Sequence, residues 1–483
     1  MRLALSFCFL FAVCSLFAQN ETDALRASTS QINGSTRFMG MGSSMGALGG
    51  DHSLAGVNPA GISILKGSQI SFSPYLKQSS VVATHYGNQT SESYSGLRLG
   101  NLGLNIRLSE DEGDWKNIYL TYNFQNKSDY TSGMRLEGVN NESSQLDAFF
   151  NEVLFTQGTD LSGIDSLYPF GASLAWNTFL LDTFNNFFFT AVPNYGQKQI
   201  YTAYVDGRAG ESNFSLSGLY KDKLYIGVSV ALVSSRYTLE TNLREEIPEA
   251  DTSTFLNYFD YTQNLVISGE AFNAKLGIIY KWNDWVQTGL AVHTPDYYSF
   301  TDTWNSRIEA EYQSGFFEDE SFDGLFNYRI QSPWKYIASL GFIYKKSFLF
   351  NLDYEYLNYR TAQLKGEQGL NNPFGFENQW LANNARDGHN VRFGAEYHYK
   401  SLSFRSGFAY YSLASDATTS SDIQIFSLGL GNTLDRWFWD VAYSLRLDGQ
   451  ESFWLYNPSL AVISESTRSL RASSFSIGAG IRF

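Results

Sequence analysis

The chain has 483 residues, 43% of them hydrophobic and 16% aromatic, and a formal net charge of −14 at pH 7. The charge argues against nucleic acid as a partner, and both cysteines, Cys8 and Cys14, fall within an amino-terminal leader, so no disulfide, thiolate nucleophile or cysteine metal site is expected. The 31 Tyr, 38 Phe and 10 Trp are accompanied, beyond that leader, by no apolar stretch of membrane-helix length, a combination that suits the aromatic girdles of a membrane β-barrel better than a soluble all-β protein.

In chain order, Met1-Arg2 leads into the apolar run from Leu3 to Phe17 and then Ala18-Gln19, which reads as a secretory signal peptide over residues 1–18. An apolar run of that length falls short of the roughly 20 residues of a spanning helix. Residues 19–67 do not alternate. Between Thr36 and Gly61 they hold seven glycines and Pro59, which forbids a long helix and allows a compact, tightly turning plug. Such a segment, placed ahead of a barrel, is expected to block the lumen from the periplasmic side.

Residues 68–483 read as the barrel. Short connections fall at 109–114, 221–223, 283–284, near Lys346, at 400–401 and at 432–435; longer or more irregular ones fall near 87–93, 131–196, 243–265, 301–327, 362–387, 416–420 and 450–467. Alternating short and long connections are the pattern of an up-and-down barrel with periplasmic turns and extracellular loops. Thirteen connections join fourteen strands; 198–220 reads as one bulged strand or as two, so sixteen stays open.

Single strands show two faces. In 348–356 Phe348, Phe350, Leu352, Tyr354 and Tyr356 alternate with Asn351, Asp353 and Glu355; in 390–400 Val391, Phe393, Ala395, Tyr397 and Tyr399 alternate with Arg392, Glu396, His398 and Lys400; in 437–447 Trp437, Trp439, Val441, Tyr443 and Leu445 face away from Asp440 and Arg446. Lipid is expected on the first set and a charged, hydrogen-bonded lumen on the second. The last strand carries Phe475, Ile477, Ile481 and Phe483 on one face. An aromatic carboxy-terminus on such a strand resembles the assembly signal of bacterial outer-membrane barrels, with Tyr443 assigned to the same signal and the barrel assembly machinery as the partner during biogenesis.

The connection 131–196, as the long extracellular loop, carries Leu146, Phe149, Phe150, Val153 and Leu154 at helical spacing. An apolar stripe there meets a greasy ligand, packs on neighbouring loops, or does both; loop 362–387, with Phe374, Phe376, Trp380 and Leu381, is the expected neighbour. Gly42-Ser43-Ser44-Met45-Gly46 spells a nucleophile elbow without the strand that must precede one, and His52, His85, His293, His389 and His398 have no metal-ligand spacing. No enzyme, metal or cofactor is expected.

Asn58-Pro59-Ala60-Gly61, the glycine spacing after Arg37, and Asp51 seven residues ahead of Asn58 make the chain resemble the FadL/TodX family of outer-membrane transporters for fatty acids and other hydrophobic compounds. Met39-Gly40-Met41-Gly42 and Ala47-Leu48-Gly49-Gly50-Asp51 look most like its Bacteroidetes-type branch. The resemblance covers nearly the whole mature chain. It implies a fourteen-stranded antiparallel barrel of the Gram-negative outer membrane with an amino-terminal hatch, in which Arg37, Asp51, Asn58, Pro59, Ala60 and Gly61 hold or gate the hatch.

It further implies passive uptake of a hydrophobic small molecule such as a fatty acid, captured by the outer loops, with outer-membrane lipid as the surroundings and release sideways through the wall. A carboxylate ligand would be bound by a lumen cation among Arg98, Arg392 and Arg405. The alternative is a non-transporting barrel that serves as a subunit or docking partner of an outer-membrane secretion or assembly complex.

Overall fold

The computed structural model describes residues 20–29, 31, 33–108, 113–157, 163–184, 187–249, 251, 253–367, 372–415 and 422–483. The leader expected at residues 1–18 lies outside them. Fourteen antiparallel strands form the wall. In order they are β1 (Gln69–His85), β2 (Asn88–Arg107), β3 (Trp115–Asp129 continued by Ser132–Asn140), β4 (Gln197–Tyr220), β5 (Leu224–Glu246), β6 (Leu256–Lys281) and β7 (Val286–His293 continued by Tyr297–Tyr312). They continue with β8 (Gly315–Glu320, Gly324–Gln331 and Lys335–Tyr344), β9 (Phe348–Asn358), β10 (Asp387–Tyr399), β11 (Leu402–Tyr411), β12 (Ile423–Leu434), β13 (Trp437–Phe453) and β14 (Ser466–Arg482). Pairing of β14 back onto β1, from Gln69↔Arg482 to Thr84↔Thr467, closes the barrel and leaves no long edge. The 197–220 segment is one strand, so the count is fourteen and not sixteen.

The alternation on β9, β10 and β13 points as expected, with Phe350, Leu352, Phe393, Tyr397, Trp437 and Tyr443 exposed outward and Asn351, Asp353, Arg392, Glu396 and Asp440 buried within; Lys400, expected in the lumen, is instead an exposed residue of the turn after β10, at positive φ. Tyr443 stands opposite Phe475 across the β13–β14 ladder, and Ile477 and Phe483 are exposed near the closing seam.

Two groups of connections differ from expectation. The one near 87–93 is the two-residue turn Tyr86-Gly87, both residues at positive φ, which matches the right-handed twist of a hairpin. Those at 243–265 and 301–327 are largely strand: β5 runs to Glu246, β6 starts at Leu256, and β7 runs to Tyr312. The cause is visible on β5. Val228, Val230 and Leu232 form its lipid band, whereas Ser234, Arg236 and Glu240 continue the outward row. Above the bilayer the outer face meets water, so the apolar alternation stops while the ladder goes on.

The described residues between 20 and 68 fill the lumen. They form helix α1 (Glu21–Ser28), the short helix α2 (Thr36–Gly40) and two 3₁₀ turns, His52–Gly56 and Pro59–Ile64. Outside the wall lie α3 (Gln145–Gln157), α4 (Ile164–Leu167), α5 (Ala172–Asn177) and α6 (Gly375–Asn384), all on the extracellular connections.

Candidate functional site

The lumen is layered, and the lowest layer is the hatch segment on its seat. Asn58 is fully buried and caps the second 3₁₀ turn: its Oδ1 accepts from Ala60 N at 3.3 Å, while its Nδ2 donates to Gly46 O at 2.8 Å and to the wall carbonyl of Ile278 at 3.3 Å. Pro59 fixes the backbone at the first position of that turn. Gly61 closes the clip by accepting from Gly50 N at 2.8 Å.

The wall is cut to fit this backbone. A Cβ at Gly277 would land on Asn58 Oδ1, one at Gly227 on the Pro59 backbone, and one at Gly289 within 2.7 Å of Gly46 O. On the opposite side Gly407 and Gly394 take Gly42 and Met41 in the same way, and Gly103 takes the His52 ring. The sequence carried this signal as an inward-facing glycine in strand after strand, which marks close backbone approach; the reading of alternation passed over it.

Arg37 ties α2 to the wall. Its Nε and Nη2 donate to Glu396 Oε2 at 3.1 and 3.0 Å, and its Nη1 donates to Gly50 O at 2.7 Å. Burial alone would lower the guanidinium's proton affinity, but Glu396 and Asp51 raise it above the ordinary arginine value. Asp51 caps the first 3₁₀ turn through Ser53 N at 2.8 Å and accepts the Ser35 hydroxyl at 2.6 Å. Burial would raise its carboxyl; His52, Arg37 and those two hydrogen bonds hold it below the usual aspartate range.

Above the hatch lies a buried ionic layer. Lys127 Nζ meets Asp296 at 2.6 Å, Lys275 Nζ meets Glu211 at 2.7 Å, and Arg392 meets Glu355 at 3.2 Å; Asn273 bridges Glu211 and Asp296. Lys335 faces the same small cavity. His293 connects the layer downward through a 2.7 Å contact to Val57 O.

Over this floor sits an apolar chamber. Tyr298 stacks on Phe300 with centroids 4.8 Å apart, and Phe300 on Tyr328 at 5.6 Å; Phe374 meets Tyr328 at 6.0 Å, while Ile330, Leu357, Leu364 and Leu381 complete the walls. Its occupant is the chain's own α1, with Ala24, Leu25 and Ala27 buried in it and the Arg26 guanidinium 4.0 Å above the Tyr237 ring. The hatch segment thus reaches well above the periplasmic end expected for it.

Of the candidate ligand residues, Phe374 and Trp380 belong to the chamber, whereas Phe376 is 80% exposed. Phe149 and Val153 are buried, but against α5 and the upper ends of β6 and β7, not against loop 362–387 as expected; Phe150 is half-buried in that cluster and Leu154 is exposed. The physical reason is that β6 and β7 rise above the bilayer and supply Phe259, Tyr261 and Ile308 as a nearer apolar surface. The three candidate cations are all paired: Arg98 with Asp206 at 2.7 Å, Arg392 with Glu355, and Arg405 with Asp440 at 2.5 Å. None is a free head-group site, because an unpaired cation at such depth would be costly.

The lid over the mouth hangs on a buried carboxylate. Glu245 ends β5, above the lipid band, and accepts the Ser144 hydroxyl at 2.5 Å, Gln145 N at 3.0 Å and Gln199 Nε2 at 2.8 Å, so it holds the first turn of α3. Burial pushes its carboxyl up to about 7, with Asp147 of α3 adding to the rise. A docked state that keeps a proton the undocked state loses becomes less stable as pH rises from the ordinary glutamate range through about 7. Protection of the amides over 141–157, after correction for the intrinsic rise of exchange with pH, should therefore be greater at pH 5.5 than at pH 8.5, by an amount on the order of 2 kcal/mol, and Glu245→Gln should abolish the difference. Equal protection at both pH values in the unsubstituted protein would rule this out.

The wall has a weak line between β2 and β3. β2 pairs with β3 only from Asn101↔Gln125 to Arg107↔Tyr119. Among the described residues no ladder joins Asn88–Gly100 to Ser132–Asn140; side chains bridge them instead, Asn88 to Glu137 O at 3.1 Å, the Thr90 hydroxyl to Arg135 O, and Arg98 to Thr131 at 2.9 Å. The gap opens where β3 shifts register between Asn126 and Ser128. At that point the hatch segment pairs with the wall, Gln31 N donating to Lys127 O at 2.9 Å and Asn33 N to Asn126 O at 2.8 Å. Leu97 lies outward at the base of this seam and Ser91, Ser93 and Ser95 above it, so the seam starts at the upper edge of the lipid band.

No family model and no curated protein matches the chain. Solved structures do. The chain is similar to a FadL homologue of Pseudomonas aeruginosa at a TM-score of 0.59 and 12% identity, over 94% of this chain and 99% of that one. It is similar to the toluene transporter TodX of Pseudomonas putida at a TM-score of 0.52 and 12% identity, over 93% and 98%. The resemblance read from the sequence holds at the level of the fold, a fourteen-stranded barrel with a segment folded inside it.

Proposed function

We propose, from that shared fold and the layered lumen, that the barrel passes hydrophobic compounds across the outer membrane without an energy source. The observation that carries this reading is the aromatic chamber that has α1 seated in it. An eight-residue helix is not stable alone, so α1 is a tethered occupant that a ligand can replace. Leu25, Ala24 and Ala27 contribute about 4 kcal/mol of burial, which about five methylenes of an alkyl chain would offset. Long-chain fatty acids and flat aromatic compounds both meet that requirement.

The floor decides the exit. An apolar solute gains nothing by crossing the Lys127, Lys275, Glu211 and Asp296 layer, and entering it would break paired charges. The β2–β3 seam is the opening we assign to it, and Gln31 and Asn33, beyond α1 in the chain, hydrogen-bond to the wall at the base of that seam. Loss of α1 from the chamber would pull on the bulge at Asn126.

The test is equilibrium binding of a fluorescent fatty acid, and separately of naphthalene, to the folded barrel. Leu25→Asp should expel α1 and tighten binding at least tenfold, because the competitor is gone. Phe300→Asp, which spoils the chamber itself, should weaken it at least tenfold. Binding unchanged in both variants would reject the chamber as the ligand site.

A further inference from the structure

At the periplasmic end of the wall four rings form a row across four strands. Tyr344 of β8 stands opposite Phe348 of β9, Phe348 opposite Tyr397 of β10, and Tyr397 opposite Phe404 of β11. Their centroids lie 6.4, 4.5 and 6.4 Å apart in that order. All four are exposed on the outward face, below Phe350, Leu352 and Phe393 of the lipid band. Aromatic rings collect where an apolar wall meets headgroups, so the row marks the inner edge of the bilayer.

Two turns border this row, and each sets a lysine over a ring. Lys345 Nζ lies 5.1 Å from the centre of the Tyr344 ring, and Lys400 Nζ lies 5.5 Å from that of Tyr399. Both lysines sit at positive φ, 49° and 55°, a conformation natural to glycine or asparagine and strained for lysine. The turns therefore do not call for lysine, and the charge needs a reason of its own. The same step recurs at Tyr220-Lys221 and Tyr280-Lys281, but there carboxylates answer it: Lys221 meets Asp114 at 3.8 Å and Lys281 meets Asp284 at 2.7 Å. Lys345 and Lys400 have no ion pair among the described residues. Their neighbour Lys346 turns inward and lines the cavity at the periplasmic end of the lumen.

We propose that Lys345 and Lys400 hold the phosphate of an anionic phospholipid of the periplasmic leaflet, with the row from Tyr344 to Phe404 against its glycerol and upper acyl chains. The two turns are two strand spacings apart, about 10 Å, a gap that two lysine side chains close from either side. The rings commit the site to a lipid. An acidic protein in the periplasm could meet the ammonium groups, but not a row that faces the bilayer. The headgroup class follows from charge: a zwitterionic lipid brings its own ammonium, whereas a phosphatidylglycerol-type lipid leaves its phosphate for the lysines. A chain of net charge −14 offers such a lipid little attraction as a whole, so binding is local to these turns. The site lies on β8–β11, away from the β2–β3 seam, and does not depend on the chamber being a ligand site.

The test is native mass spectrometry of the purified full chain, released from micelles that contain equimolar dioleoyl phosphatidylglycerol and dioleoyl phosphatidylcholine. The unsubstituted barrel should retain phosphatidylglycerol at least fivefold over phosphatidylcholine. Lys345→Asn with Lys400→Asn should bring the ratio below twofold. Asparagine accepts positive φ more readily than lysine, so this variant keeps its turns, and heat-modifiable mobility on gels checks that the barrel is folded. Lys221→Asn with Lys281→Asn removes the same number of charges from turns that hold their own carboxylates, and should leave the ratio unchanged. Equal retention of the two lipids by the unsubstituted barrel would overturn the proposal. So would a preference that survives the loss of Lys345 and Lys400, or one lost equally with Lys221 and Lys281, since overall charge and not this site would then be responsible.

Discussion

Lys275→Met should destabilise the barrel by about 3–5 kcal/mol, the cost of leaving a buried carboxylate without its counter-charge. Lys275 is 5% exposed as a residue, and its ammonium has three partners: Glu211 Oε1 at 2.7 Å, Asn273 Oδ1 at 2.7 Å and Asn213 Oδ1 at 3.0 Å. Three donors meet three acceptors, so nothing is left over. Without the lysine, Glu211 retains Gln125, Asn273 and Asn213, all neutral amides. The midpoint of denaturant unfolding in liposomes measures the loss. Glu211→Gln in the Lys275→Met background should recover most of it, because the pair is removed together. Lys116→Met, which breaks an exposed pair with Asp222, should change stability by no more than about 1 kcal/mol. A Lys275→Met barrel as stable as its parent would mean that water reaches Glu211, and the ionic layer would then be no barrier to an apolar solute.

The parts of the molecule that could be read from sequence are those in which a side chain answers to one solvent. Phe350 against Asn351 and Trp439 against Asp440 differ because lipid and lumen differ, so strands and their faces were legible there, and the turns followed. Four things were not. The upper reaches of β5, β6 and β7 lost the apolar alternation once Arg236 and Glu240 met water, so strand was read as loop. The partners of Arg98, Arg392 and Arg405 come from other strands, and which strand supplies Asp206, Glu355 or Asp440 depends on register, not on local pattern. The chamber draws on α1, β6, β7, β8, β9 and α6, elements more than 300 residues apart in sequence; Leu25 carries no mark of where it will be buried. The motif Asn58-Pro59-Ala60 was legible as a rigid turn, yet what it presses on was not, although Gly227, Gly277 and Gly289 stood in plain view.

Those glycines give the second large effect. Gly277→Val should unseat the hatch while leaving the wall intact, since valine suits a strand and β6 pairs on both sides through its backbone. The new side chain would occupy the place of Asn58 Oδ1 and lie 2.9 Å from Pro59 Cδ at its first carbon. Overpacking there costs about 1–3 kcal/mol, and losing the Asn58 bonds to Gly46 and Ile278 adds about 1 kcal/mol each. A total near 4 kcal/mol raises the population of the displaced hatch by about a thousandfold. Sensitivity of cells to a bulky hydrophilic antibiotic should rise, and trypsin added from the periplasmic side should cut at Arg37. Gly375→Ala, at a glycine with open space around it, should do neither. The decisive comparison is Gly277→Val with Asn58→Ala in the same chain. That change removes the atom the valine strikes, so it should restore part of the barrier if the clip is seated on Gly277, and should worsen the leak if Asn58 merely stabilises its own turn.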